Sequence, residues 1–152
     1  MFICFLAFHS HLQSQVYVYP GDRYFWGDMV LNISDGHVIQ GTEMMWSEAV
    51  LTVEGNRIFN GFSTGGFDCL YNLQNNQLYV GDSSFSGDIL YTFRNGKIYS
   101  GDSTFPLDLL FTFQNGRLYQ GDSTLIFDLL YTLEGTPTVT ELFALLFALE
   151  LI

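Results

Sequence analysis

The chain has 152 residues and a mass of 17.3 kDa, which suits a single domain. Its apolar fraction of 48% excludes a disordered chain, and its two cysteines exclude a disulfide scaffold or a four-cysteine zinc site. Sixteen acidic and five basic residues give a net charge of −11, which excludes binding to a nucleic-acid backbone because that needs many Lys and Arg residues.

Residues 1–14 precede a long series of repeats and contain an apolar run from Ile3 to Phe8. The run resembles the end of a secretory signal peptide whose basic start is missing, and it predicts a secreted or periplasmic protein. The alternative is an N-terminal extension of a cytoplasmic protein that packs on the domain surface. Residues 15–152 are predicted to form one domain.

The domain is built from tandem repeats of equal length that begin at positions 21, 41, 61, 81, 101 and 121, each with a glycine. The clearest copies are 81–100 and 101–120. An acidic residue occupies the eighth position of every copy, and a Val or Leu occupies the tenth. Six copies in phase indicate a repeat architecture, in which one small unit is stacked on the next.

Each repeat is predicted to be a β-hairpin, most clearly between Asp88 and Ser100. The pair Asn95-Gly96 separates two β-prone runs and predicts a two-residue type I′ turn, because both central residues of that turn need positive φ. Such a turn pairs Phe93 with Ile98 and Thr92 with Tyr99. The face assigned to the core then carries Ile89, Tyr91, Phe93 and Ile98, whereas Leu90 and Tyr99 lie on the other face. By the same alternation, Cys69 is predicted to point inward.

The two ends of the repeat array complement each other. The sixth repeat keeps its first strand, 128–134, and lacks the second, whereas Tyr17–Gly21 is a second strand without a first. Pairing them makes a sixth hairpin and predicts an all-β closed barrel of about twelve antiparallel strands with no free edge. An open array would instead need terminal caps.

A hydrophobic helix is predicted over residues 139–152. Thr138 and Glu141 form a capping box, and Glu150 is the one polar residue after Glu141. A helix that is apolar all round must be buried, and this one is too short to span a membrane. A twelve-stranded barrel has a radius of roughly 12 Å, which leaves room for a helix on its axis. We therefore expect 139–152 to thread the lumen, with Leu145, Leu146 and Phe147 all buried; the alternative is a helix on a partner or membrane surface.

Acidic residues at the second and eighth positions gather ten of the sixteen carboxylates near one rim of the barrel. The favoured interpretation is that they cap turns by accepting backbone N–H bonds. The alternative is Ca²⁺ binding, for which Asp88, Asp108 and Asp128 are the candidates. Nothing in the sequence predicts a catalytic residue, a cofactor or another metal site.

The loops of the first two repeats depart from the regular pattern and are rich in aromatic residues and methionine. Side chains of these types on loops are typical of a contact surface for a protein, lipid or glycan partner. The alternative is sequence drift, with each tryptophan covering the end of the barrel. The candidate contact residues are Tyr24, Phe25, Trp26, Met44, Met45 and Trp46.

Tandem copies of the pattern GDST…D-LYT-NG-IY, followed by a short apolar helix, resemble the β-flower proteins over about residues 17–152. The resemblance implies a shallow, symmetric β-barrel and carries no established activity. The barrel of twelve strands around a helix is also similar to the Tubby and scramblase-like fold. Some Tubby-like barrels bind phosphoinositides through basic patches, which five basic residues do not supply.

The predicted function is that of a non-enzymatic structural or interaction module, present as a monomer. A lipid or small apolar ligand carrier is the first alternative, which requires the helix to leave the lumen. Glycan or surface binding through the aromatic loops is the second, as in the choline-binding repeats, which place ligands between aromatic residues of neighbouring hairpins. The regular hairpins of this chain lack the tryptophan of those repeats.

Overall fold

The computed structural model describes residues 15–65 and 69–152, and the segment on which the export prediction falls lies outside them. The described residues form twelve strands, five short 3-10 turns and one α-helix, α1 (Val139–Ala148). The strands are β1 Val16–Pro20, β2 Leu31–Ser34, β3 His37–Gln40, β4 Ala49–Glu54, β5 Arg57–Asn60, β6 Cys69–Gln74, β7 Gln77–Val80, β8 Ile89–Arg94, β9 Lys97–Ser100, β10 Leu109–Gln114, β11 Arg117–Gln120 and β12 Leu129–Glu134.

The strands form a closed antiparallel barrel in which each strand pairs with its neighbours in sequence, and β1 pairs with β12. At the closure Val18 lies opposite Leu133, and Tyr19 lies opposite Thr132. The predicted ring of six hairpins, with the sixth hairpin made from the two ends of the array, is thus confirmed. Because every strand has two partners, no edge is left unpaired.

Four of the five two-residue hairpin turns within the described residues have positive φ at both central residues, as predicted, whereas the turn at Gly55-Asn56 has it at Gly55 alone. Asn95 and Gly96 have φ of 53° and 75°, and Phe93 pairs with Ile98. Each turn also contacts the next hairpin, since the N–H of Phe113 donates to the carbonyl of Gly96 at 2.7 Å. A side chain at Gly96 would place its Cβ 2.7 Å from the carbonyl oxygen of Phe113, so glycine is required there for close approach as well as for its φ.

A β-bulge at the start of each long strand from β4 to β12 corrects the predicted assignment of faces. The pairing of β9 with β10 skips one residue between Leu109 and Phe111. The extra residue interrupts the alternation of faces, so that Leu90 and Leu110 pack against the core, contrary to the outward prediction.

The residues before the bulges of β6 and β8, Cys69 and Ile89, lie outside the core, which corrects the inward prediction for both. Both are half-buried, and neither belongs to the hydrophobic core of the barrel. The Cys69 thiol donates to the carbonyl of Tyr71 at 3.5 Å. Burial is the main cause that raises the pKa of this thiol, which favours its protonated form.

The glycine that begins each repeat holds the bulge in place. The N–H of Gly121 donates to the carbonyl of Leu110 at 2.8 Å, and the Gly121 carbonyl accepts a bond of 2.7 Å from the Thr112 hydroxyl. The same pair of bonds recurs in every repeat, with Asn in place of Thr at two positions. The side chains that donate to a repeat-initiating glycine are Asn32, Thr52, Asn72, Thr92, Thr112 and Thr132, all of them buried.

We predict that Thr112→Val destabilises the protein by about 1–3 kcal/mol, because the substitution keeps the side-chain volume and leaves the Gly121 carbonyl without its donor. Urea unfolding measures the change. Thr112→Ser keeps the hydroxyl and serves as the control, with a smaller loss. Equal stability of the Val and wild-type proteins would show that the bond contributes nothing.

Helix α1 begins with the predicted capping box and ends earlier than predicted. The N–H of Thr138 donates to Glu141 at 2.7 Å, and the N–H of Glu141 donates to the Thr138 hydroxyl at 3.2 Å. The helix stops at Ala148 instead of Ile152, because Glu150 takes a left-handed φ of 56°. The N–H groups of Glu150 and Leu151 then bond to the carbonyls of Phe147 and Leu146, at 3.0 Å each, in a Schellman arrangement.

The five consecutive helix residues Leu142–Leu146 are all buried, and they share one hydrophobic core with side chains from all twelve strands. Successive residues of a helix point about 100° apart, so protein surrounds this part of α1 on every side. Phe147, predicted to be buried, is only partly so. It lies near the end of the helix, where its ring stacks on Tyr71 with centroids 4.2 Å apart. The path of α1 along the barrel axis stays a prediction.

We predict that Leu145→Ala lowers the free energy of unfolding by about 2–5 kcal/mol, because it opens a cavity in a closed core. The matched control is Leu107→Ala, since Leu107 is 99% exposed and its truncation falls within about 0.5 kcal/mol. Thermal and urea unfolding compare the two variants. Equal stability of the two would mean that α1 has a solvent-exposed side at Leu145.

Candidate binding surface

The loops that join one hairpin to the next expose apolar side chains. Five of the described loops contain a 3-10 turn over their sixth to eighth positions, and the residue before the turn is extended. That fifth residue is apolar and exposed in all five, as Phe25, Met45, Phe85, Phe105 and Leu125. The loops therefore present apolar groups to solvent in a repeating arrangement.

In the three regular repeats, the eighth-position acid accepts a hydrogen bond from a serine of the same loop. In the fourth and sixth repeats, Ser83 and Ser123 each donate a hydroxyl bond of 2.5 Å to Asp88 and Asp128. The serine hydroxyl also accepts the N–H of the fifth residue, as in the 3.2 Å bond from Phe85 to Ser83. The acids were predicted to accept backbone N–H groups themselves. In these loops the serine hydroxyl accepts the backbone N–H, and the acid accepts the serine hydroxyl.

The calcium candidates Asp88, Asp108 and Asp128 lie in separate loops, and each accepts a hydrogen bond from the serine of its own loop. Within residues 15–65 and 69–152, no three His, Cys, Asp or Glu side chains are grouped closely enough to hold a metal ion. The structure therefore does not bring the three candidates together.

Three of the four second-position acids form a different set of bonds, to basic side chains at the seventeenth position of another repeat. Asp122 lies 2.5 Å from Lys97, Asp22 lies 3.0 Å from Arg117, and Asp82 lies 3.1 Å from Arg57. The hydrogen bond to Asp122 is the main cause that raises the pKa of Lys97. A raised amine pKa means that the pair stabilises the fold at neutral pH and that this contribution is lost as the pH rises through the folded-state pKa.

Between the first and third repeats, an aromatic pair stands where the corresponding ion pair would be. His37 stands at the seventeenth position, and its partner at a second position is Phe62, with ring centroids 6.0 Å apart. Trp46 packs on the same His37 ring at 5.3 Å, and Trp26 packs edge-on against Tyr17 at 5.7 Å. The His37 Nδ1 lies 3.0 Å from the hydroxyl of a buried threonine in β4. His37 is therefore a packing residue of this surface.

The structure places all six predicted contact residues on two adjacent loops, with exposed fractions from 45% to 77%. We group them with Phe62, which contacts the same His37 ring as Trp46, and name the set the aromatic surface. Both tryptophans keep about half of their area exposed even though each packs on a ring of the barrel wall. We define the aromatic surface as Tyr24, Phe25, Trp26, Met44, Met45, Trp46 and Phe62.

The exposed apolar residues of the regular repeats were not predicted, because they do not depart from the repeat pattern. Leu107 and Phe127 are 99% and 94% exposed and stand at the seventh position. An apolar fifth position in five copies was the available signal. The residues missed are Phe62, Phe85, Phe105, Leu107, Leu125, Ile126 and Phe127.

We predict that millimolar Ca²⁺ or EDTA leaves the melting temperature unchanged. A site that is filled at 100 times its Kd would add about 2.7 kcal/mol, which a thermal scan detects easily. Asp108→Asn lowers stability modestly in either buffer, because it weakens the bond from Ser103. A marked rise with Ca²⁺ that disappears in Asp108→Asn would instead identify a calcium site.

The helix of the described part is too short to cross a membrane, as the sequence predicts. No curated protein and no solved structure matches the chain. A family model described as a 6-fold beta flower protein matches residues 18–146, which include all twelve strands in whole or in part and most of α1. This match agrees with the six hairpins and the closed barrel seen in the structure. The chain belongs to the six-fold beta flower family.

Proposed function

We propose that this protein is a non-enzymatic interaction module that binds a protein partner through its apolar loops. The observation that carries the proposal is the exposure of large apolar side chains on successive loops, with Leu107 and Phe127 almost fully exposed. Extended apolar exposure on a globular domain is typical of an interaction surface. The regular loops are held by hydrogen bonds to their own serines and acids, so they present the side chains in a fixed arrangement.

The residue types favour a protein over a glycan or a lipid. Tyr, Trp and Met are enriched in the cores of protein interfaces, and Trp and Tyr carry much of the binding energy there. Trp26 and Trp46 are half-exposed, and each packs on a ring of a strand, Tyr17 or His37. Leu107 and Leu125 are aliphatic and offer no ring for stacking on a sugar.

The negative charge of the chain favours partners with a neutral or basic surface. The chain carries −11, and four of its five basic residues lie in ion pairs within the described residues. Anionic membranes are therefore repelled, whereas a basic or neutral protein surface is attracted. The same shortage of free cations opposes the phosphoinositide binding of some Tubby-like barrels. The likeness to those barrels stays a prediction from architecture.

The alternative of a lipid carrier requires α1 to leave the core. Five consecutive helix residues are buried there, and burial of one Leu stabilises by about 1.5–3 kcal/mol. Departure of α1 would forfeit several such contributions in a domain with a typical stability of about 5–15 kcal/mol. The loops are therefore a better candidate for the binding site than the interior of the barrel.

Site-specific photo-cross-linking tests the proposal. A photoreactive side chain at Phe25, Met45 or Phe105 is expected to trap one and the same protein. The control position is Glu54, which is exposed at the hairpin-turn end of β4 and is expected to trap nothing. The trapped protein is then purified and its Kd measured by calorimetry. We expect Trp46→Ala and Leu107→Ala each to weaken binding by about tenfold or more, as for interface anchors.

Two results would overturn the proposal. One is a Kd that neither substitution changes, since the trapped protein would then bind elsewhere. The other is binding to neutral phosphatidylcholine vesicles or to a glycan that depends on Trp46, with no protein trapped at the loop positions. Sedimentation of the free protein at each concentration separates partner binding from self-association.

A further inference from the structure

A cavity of about 260 Å³ lies where α1 ends, between the helix and strands β3, β4 and β6. Its apolar lining comprises Val50, Leu51 and Leu70 from the wall and Phe147 and Ala148 from the helix. Leu51 is buried in the core, whereas Val50 and Leu70 belong to the bulges and pack at its edge. The volume is just below the roughly 300–1,000 Å³ of most ligand sites, so it suits a small molecule.

One wall of the cavity is aromatic. The rings of Tyr71 and Phe147 are stacked in parallel, with an interplanar angle of 2° and centroids 4.2 Å apart. Both residues are partly exposed, unlike most of the core that they adjoin. Aromatic faces attract cations within about 6 Å of their centroids, in addition to their affinity for apolar groups.

The polar groups at the cavity are Gln40 and Glu150, both exposed. Glu150 stands at the position of a Schellman cap that glycine usually occupies, and its φ of 56° is unfavourable for a residue with a side chain. It also puts a carboxylate at the negative end of the helix dipole, with no basic residue in the last turn. Fold stability explains neither the positive φ of a residue with a side chain nor the negative charge at this end of the helix, because Gly at position 150 would remove both unfavourable features.

We infer that this cavity binds a small organic cation, an amine or quaternary ammonium on an apolar body. The apolar body would lie against Leu51, Leu70 and the stacked rings. The positive group would lie at the mouth, where the Glu150 carboxylate and the carbonyl end of α1 both favour positive charge. An anion of the same shape would be repelled, and a neutral molecule would gain the apolar contacts alone. The inference is independent of the protein partner proposed for the loops.

The test compares three probes with the same chain length: hexyltrimethylammonium, 1-hexanol and hexanoate. Each is titrated into the full-length protein and followed by amide shifts in NMR spectra. We expect saturable binding of the cation, with shifts confined to Leu70, Tyr71 and Phe147–Glu150. The alcohol binds more weakly, and hexanoate binds least.

Variants separate the charge from the cavity. Glu150→Gln is expected to weaken binding of the cation about fivefold, the size expected for an exposed charge pair, and to leave the affinity for 1-hexanol unchanged. Glu54→Gln removes the same charge from the hairpin-turn end of the barrel and is expected to change nothing. Glu150→Gly is expected to raise the melting temperature while weakening the cation, which would show that Glu150 costs stability and serves binding.

The inference is overturned if hexanoate or 1-hexanol binds as tightly as the cation. It is equally overturned if Glu150→Gln and Glu54→Gln have the same effect on the cation. Shifts outside the cavity, or no saturable binding of the cation up to its solubility limit, would also refute it.

Discussion

Every repeat is tied to the one before it by two hydrogen bonds on its first glycine. The glycine N–H binds the carbonyl of the bulged tenth residue, and the glycine carbonyl accepts a bond from a buried Thr or Asn in the same strand, as Gly121 does with Leu110 and Thr112. A loop must leave the sheet at the same point in each copy to make both bonds. The two bonds fix the point at which each loop leaves the sheet, next to the bulge that directs Leu110 toward the core.

Much of the barrel could be predicted because the sequence signals are short turn motifs and the number of strands in the repeat array. Asn95-Gly96 determines a turn type, that turn determines the register, and the unmatched strand at each end of the array determines the closure. The bulge could not be predicted, since the ninth and tenth positions are both apolar and either can face the core. The end of α1 at Ala148 could not be predicted either, because a glutamate at position 150 does not indicate the left-handed conformation that glycine usually adopts.

The candidate sites were predictable to a smaller extent, for a related reason. The tryptophans and methionines of the first two loops stood out because they broke the repeat, and the structure exposes them. Phe105 and Leu107 belong to a regular copy, where an apolar residue is easily assigned to the core. Contacts between separate repeats, such as His37 with Phe62, depend on the curvature of the whole ring and have no local signal. The cavity beside Phe147 depends on where the helix stops.

The pairing of β1 with β12 has a consequence for how the protein is made. Tyr17 and Glu134 are neighbours in the sheet, although they stand at opposite ends of the repeat array. On a ribosome, β1 emerges before the other strands. It can pair with its second neighbour, β12, only after the last repeat has been synthesised. The growing sheet therefore carries two open edges during most of translation, and each is a template for pairing with another chain. The pairing of β1 with β12 removes both open edges at once, so the barrel is protected from edge-to-edge pairing only when its last strand has joined the sheet.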